Sequence, residues 1–408
     1  MFLATVAVAL VVVACTSAAV DSVGGPSFLP ATASPTARAT SSATSEPTPA
    51  PSETSPAPTP LPPGPAVQSA GLLDATDGWT LTSTGLFITA DGGVTWRAAT
   101  VPGPHTNLGV LGVDFADPQH GWLATLDSTD FTSRVFDVWR TDDGARTWQK
   151  VVVPEGANAS DAMGPVEFSI LNPDHLFLLV AGGMADGYTS DLYESTDGGR
   201  VWSPDRISGG RGETGPFAFA DSKHGVIAGG APGNRLFVTS DGGRSWQLIP
   251  VPVPAGFSQD SAMLSQGPVF WDAKAGALTV NYATDAGAYE LGVLLTGDSA
   301  ASWSLVATIP LDPAEGNLGA MAFVGPDNWA MAGADRMVWT ADAGRTWASS
   351  SSVGLPGTPW SLLMPDARHG WALVPMSVCL GFKTDCSSRT GLYATADGGA
   401  TWTALWPK

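Results

Sequence analysis

From Ala66 onward the chain alternates short apolar runs with tight polar turns, and the alternation returns seven times. Each unit opens on an apolar stretch, of which "VQSAGLLD" is the first. A turn rich in Asp, His and Gly follows, then a second apolar run, a stretch of variable sequence and a third run. The first turns read "DATDGW" (Asp74–Trp79), "DPQHGW", "NPDHLF", "DSKHGV", "DAKAGA", "PDNWA" and "DARHGW". Behind the third run comes a more regular mark, "TADGGVTW" (Thr89–Trp96), and then a fourth run. The mark returns as "TDDGARTW", "STDGGRVW", "TSDGGRSW", "TGDSAASW", "TADAGRTW" and "TADGGATW". Short apolar runs bounded by Gly, Asp and Pro predict strands rather than helices.

Four antiparallel strands per unit, with motif tryptophans 44 to 57 residues apart, match the period of propeller blades. The prediction is an all-β chain: a single seven-bladed β-propeller of four-stranded antiparallel blades over 66–408. Seven such sheets around one axis leave no long exposed edge. The first unit carries its own first strand, and the last, ending "ATWTALWPK", its own fourth. The ring is therefore expected to close by packing between complete blades, without strand exchange.

The repeated mark resembles the Asp-box, or BNR, repeat Ser/Thr-x-Asp-x-Gly-x-Thr-Trp. That repeat is known from sialidases, sortilin-type receptors, xyloglucan-cleaving glucanases and photosystem II stability factors, and the "HGW" pairing looks most like the last family. The resemblance covers about 340 residues, seven units in the ~40–50-residue range of propeller blades. It implies a hairpin between third and fourth strands at Asp91 and Trp96, Asp143 and Trp148, Asp197 and Trp202, and Asp241 and Trp246. The same holds at Asp298 and Trp303, Asp342 and Trp347, and Asp397 and Trp402. Each box Asp can accept N–H bonds within its own turn, the glycines allow positive φ, and the tryptophan suits the layer between sheets. The boxes are thus expected to be structural joints, not sites.

The N-terminus adds an export segment. Its apolar run before Cys15 is too short to span a bilayer and fits a signal-peptide core. "VVAC" resembles a lipobox, which makes Cys15 the expected lipid attachment site. Residues 1–15 are read as that signal and 16–65 as a disordered Pro/Ser/Thr/Ala-rich stalk, whose composition cannot bury enough apolar surface to offset ordering. The expected location is the outer face of a bacterial cell membrane, with the membrane reached only through the lipid, or secretion if the lipobox is unused. Cys379 and Cys386 in "CLGFKTDC" suit a local disulfide in an oxidising compartment.

Charge narrows the partners. The formal net charge is -19, with 19 Lys+Arg against 38 Asp+Glu, so the clustered cations that bind phosphate backbones are missing and nucleic acid is not expected. Four of the five histidines, His120, His175, His224 and His369, recur in the same turn and read as structural; His105 lies elsewhere. "GRGETG" matches a dinucleotide pattern with no helix behind it. No catalytic residue, cofactor or metal ligand is nominated.

In a four-stranded blade, both repeated turns fall on one face. The opposite face receives the second-to-third loops and the connections between blades, where function commonly resides. Those segments nominate Asp130, Phe131, Tyr188, Arg211, Phe257, Asp260, Tyr282, Trp360 and Phe382 as a candidate binding face for a protein or a glycan. The expected function is a monomeric, non-enzymatic binding or assembly scaffold. The alternative is a glycoside hydrolase of exo-sialidase type, or a carbohydrate-binding receptor. A sialidase resemblance would imply three substrate-binding arginines, a Tyr-Glu nucleophile pair, an acid/base Asp and an early Phe/Tyr-Arg-Ile/Val-Pro motif. The motif is missing, and Arg146, Arg200, Arg244 and Arg345 fall inside the boxes.

Overall fold

The structure, a computed structural model, describes residues 65–102, 110–126, 136–154, 166–181, 190–206, 216–228, 235–283, 289–311, 318–379 and 386–406. Those residues form seven sheets, each of four strands in sequence order and antiparallel throughout. The blades span 67–99, 110–151, 166–206, 217–250, 262–311, 318–351 and 361–406. Cys15 and the stalk lie outside the described residues.

Burial follows strand position. The second strands are closed off on both faces, as in Gly121–Leu126 and Trp329–Gly333. They accordingly read as continuous apolar runs. The fourth strands are open to solvent; Ala348–Ser351 is exposed along its whole length. First strands of neighbouring blades touch, which places them innermost.

The core is therefore not one cluster but seven, each lying between two consecutive blades. Trp79 packs with Phe115 and Ala145 between blades one and two, and Trp122 with Tyr193 and Trp202 between two and three. Phe177 stacks on Phe219 at 3.6 Å between three and four. Leu278 and Tyr282 join Leu236 and Val251 between four and five, and Trp329 joins Leu291 between five and six. Met337 meets Trp402 between six and seven. The seventh cluster, Val67 with Trp371, Leu392 and Leu405, joins blade seven back to blade one. Val67–Leu72 pairs with Asp77–Thr82 of its own blade, so the ring closes without exchanging a strand.

Candidate functional site

All seven boxes share one hydrogen-bond circuit. In the first, the Thr89 hydroxyl donates to Asp91 Oδ1 at 2.8 Å and accepts from Gly93 N at 2.9 Å. Asp91 also accepts from the backbone N and the hydroxyl of Thr95, at 2.8 and 2.6 Å. Asp143, Asp241, Asp298, Asp342 and Asp397 repeat the circuit with both oxygens engaged. At Asp197 the hydroxyl partner is replaced by Val201, which contributes only its N–H. The Thr95 hydroxyl, more than its N–H and the Thr89 hydroxyl, holds the Asp91 carboxyl down at about 2, and Thr346 does the same at Asp342. These carboxylates shape the turn.

Each box is also latched to the first turn of its own blade. Gly92 N donates to Thr76 O at 2.7 Å, Gly144 N to Gln119 O at 2.9 Å and Gly398 N to Arg368 O at 2.8 Å. The first turn is itself closed by its Asx residue: Asp117 Oδ1 accepts from Gln119 N and His120 N, both at 2.8 Å. His120, His224 and His369 place Nδ1 2.8 to 2.9 Å from Asp117, Asp221 and Asp366. His175 departs from the pattern and sets Nε2 2.8 Å from Glu194. Its turn begins with Asn172, whose neutral amide offers no ion pair, and the ring turns to the neighbouring strand instead.

The box then reaches across to the preceding blade. Trp122 Nε1 donates to Gly198 O at 3.1 Å, and Trp371 Nε1 donates to Gly92 O at 3.3 Å. The second box glycine sits against that same blade with positive φ. A Cβ at Gly199 (φ 80) would stand 2.5 Å from Trp122 Nε1, and one at Gly93 (φ 94) would strike Leu405. The positive φ favours glycine there, and at Gly93 and Gly199 the contact excludes a side chain, although Ala145 and Ala300 hold φ 61 and 68 at the same position of boxes two and five.

On the opposite face, only part of the nominated set is within reach. Asp130, Phe131, Tyr188, Arg211 and Phe382 lie outside the described residues. Trp360 is half exposed just ahead of Ser361–Leu363, and Asp260 is exposed in the short 3-10 turn Gln259–Ser261. Tyr282 must be corrected. It is fully buried, its hydroxyl donates to Pro252 O at 2.5 Å, and Phe257 packs over it at 5.7 Å. The strands of blade five run eight residues, Gly276–Ala283 and Tyr289–Thr296, so position 282 is still in the sheet and faces the core. Tyr282 is a core residue, and Phe257 is its half-buried cover.

Strand length gives that face relief. The second and third strands of blade seven, Gly370–Cys379 and Cys386–Thr395, run ten residues each. Those of blade six, Trp329–Gly333 and Arg336–Thr340, run five. At ~3.4 Å per residue, the hairpins of blades five and seven rise roughly 10–17 Å above the one between them. Trp360 lies in the connection from blade six to blade seven, its N–H on Leu373 O.

The face that carries the boxes holds a cleft that sequence reasoning missed. It has a volume of about 540 Å³ and lies between blades seven and one, bounded by Leu72, Asp91, Val94, Trp371, Asp397 and Leu405 among others. Four boxes place an arginine three residues after the Asp, and its Nη1 donates to the Asp carbonyl: Arg146 at 2.6 Å, Arg200 at 2.5 Å, Arg244 at 2.6 Å and Arg345 at 3.4 Å. Arg200 and Arg244 extend toward Asp142 and Glu194 of the preceding blade, at 3.8 and 4.0 Å. In the first box that position is Val94, and the blade-seven counterparts of Asp142 and Glu194 are Ala396 and Ala394. Among the described residues, no three His, Cys, Asp or Glu side chains are grouped to hold a metal ion.

No family model matches this chain, and no curated protein does. Solved structures align with it distantly. The extracellular domain of a one-component system from B. thetaiotaomicron aligns at TM-score 0.46 and 11% identity, over 76% of this chain and 37% of that one. This chain thus spans little more than a third of that protein's length. A PL25 ulvan lyase aligns at TM-score 0.46 and 10% identity, over 84% and 95%. A Hadza microbial sialidase aligns at TM-score 0.36 and 15% identity, over 81% and 66%. All three alignments are distant and assign no activity to this chain.

Proposed function

We propose that this chain is an exported, lipid-anchored binding or assembly scaffold that engages a protein or a glycan through the loop face, without catalysis. The observation that carries the reading is the box circuit: each of the seven repeated aspartates is bonded inside its own turn and shapes it. What remains to vary is the opposite face, where the tall hairpins of blades five and seven flank the recess and Trp360 is half exposed. A rigid frame with varied loops is a common arrangement for recognition. The Asp-box resemblance, including its likeness to photosystem II stability factors, supports the frame and leaves the partner open.

The test is a melting-temperature screen of the full chain against glycans, sialosides included, together with co-purification of envelope proteins. A specific shift or a stoichiometric partner, weakened by Trp360→Ala at unchanged melting temperature, is the expected result. Trp360 is half exposed, so its removal is expected to cost no more than about 0.5 kcal/mol of stability. Release of product from any glycan would replace the scaffold reading with the glycoside hydrolase one.

Blade seven's tall hairpin also bears on export. Its register sets Cys379 directly opposite Cys386, a cross-strand position whose spacing a disulfide can bridge. We propose that the pair is oxidised in the exported protein. Iodoacetamide is expected to label both cysteines only after reduction; labelling of both without reductant would refute the bridge.

A further inference from the structure

We propose that the cleft between blades seven and one is a receptor for an arginine side chain displayed on a basic segment of a partner protein. It lies on the face that carries the boxes, so it does not rest on the loop-face reading above.

The argument is internal to the repeat. At the seams before boxes three and four, the space on this face is occupied in cis by Arg200 and Arg244. Each donates Nη1 to its own box carbonyl. At the closing seam the same position is Val94, whose side chain carries no donor, and Val94 is 66% exposed. The cleft at this seam has an apolar wall of Leu72, Val94, Ala394, Ala396 and Leu405. Its rim carries two exposed box carboxylates, Asp91 and Asp397, and the Asp91 pKa is held low, so the charge persists at every physiological pH.

A wall that accepts methylenes below a rim that accepts N–H donors fits an alkyl chain ending in a planar cation. A guanidinium suits it better than an ammonium, because its fork can reach the Asp91 carbonyl and a rim carboxylate together. A neutral apolar side chain would fill the wall and leave the rim unanswered. A carboxylate or phosphate ligand would meet like charge. The net charge of -19 favours the approach of a basic segment from any direction.

The test uses the full chain and a capped Gly-Arg-Gly peptide, with Gly-Lys-Gly and Gly-Gln-Gly as comparators, followed by NMR or calorimetric titration. Saturable binding of the arginine peptide is expected, weaker for lysine and roughly tenfold or more weaker for glutamine. Val94→Arg installs the cis occupant that four other boxes already carry, so it is expected to fold and to abolish binding. Ala301→Arg adds the same charge at the same position of box five and is expected to bind like the parent. Equal loss in both variants would reduce the effect to net charge and overturn the proposal. So would unchanged binding in Val94→Arg at an unchanged melting temperature, or no saturable binding to the parent. A loss of binding on Trp360→Ala would place the peptide on the loop face and would equally overturn it.

Discussion

Replacing Trp371 with alanine is expected to destabilise the protein by about 3–5 kcal/mol, the usual cost of emptying a fully buried indole site. Trp371 is 1% exposed. It stands 5.5 Å from Trp96, contacts Gly78 and donates to Gly92 O. Its loss removes both a packing element and the hydrogen bond that fixes box one to blade seven. The location raises the consequence. Six interfaces join blades that follow each other in the chain, and the seventh joins 361–406 to 67–99 across the closure. Opening at that seam frees two sheet faces without breaking any covalent neighbour. The measurement is the urea midpoint, with limited proteolysis as a second readout. Trp122→Ala makes the same chemical change at an interior seam, where Trp122 is also 1% exposed and donates to Gly198 O. Similar free-energy losses are expected, but earlier proteolysis near both ends of 67–406 only for Trp371→Ala. A loss below about 1 kcal/mol would show that the closure does not depend on this indole.

Much of this architecture was legible because it is written seven times. A box such as "TSDGGRSW" specifies its hairpin through local groups, the Thr239 hydroxyl, the Asp241 carboxylate and two glycines with positive φ. Local chemistry of this kind survives without any knowledge of the rest of the fold. Even the worn box obeys it: Ser299 and Ala300 take φ values of 61 and 68, as Ala145 and Ala343 do in boxes two and six, where the remaining boxes use glycine. Features set by differences between blades were harder to see. Tyr282 sits in "NYATDAGAYE", whose polar residues look like a loop, yet strand alternation carries through to Ala283 and turns the ring inward. The closing cleft was overlooked because the boxes were treated as equivalent. Its signal lies at the position three residues after the box Asp, arginine in four boxes but Val94, Ala301 and Ala400 in the other three, and its meaning depends on which side of the blade that letter faces. The loop face was legible as a location, and the depth of its recess came only from strand lengths.

Two acidic residues in otherwise apolar first strands lead to the second large effect. Asp114 lies in Val110–Phe115 and Glu167 in Val166–Ile170, the innermost strands of blades two and three. Burial pushes Asp114 up to about 6, against a bond from Phe115 N, and pushes Glu167 up to about 7, against a bond from Phe217 N of the next blade. Both are partly open to solvent along the ring axis yet closely packed elsewhere. A carboxyl whose folded pKa lies above its unfolded value is retained in its neutral form. The stability it contributes is complete below the ordinary carboxyl range and is lost as pH rises through about 6 for Asp114 and about 7 for Glu167. The boxes have the opposite sign: Asp91 and Asp342, held at about 2, contribute above the ordinary range and lose that contribution as pH falls toward 2. Thermal stability is therefore expected to peak in mildly acidic solution, and to fall by neutrality. Glu167→Gln keeps an oxygen to accept from Phe217 N and removes the ionisation. It is expected to raise stability by about 1–3 kcal/mol at roughly pH 8 and to leave it unchanged near pH 4. Asp114→Asn is expected to act in the same direction with a midpoint about one unit lower. A pH-independent change in either variant would mean that the carboxyl group is not buried in its neutral form, and that the acidic residues at the axis are ordinary solvated ones.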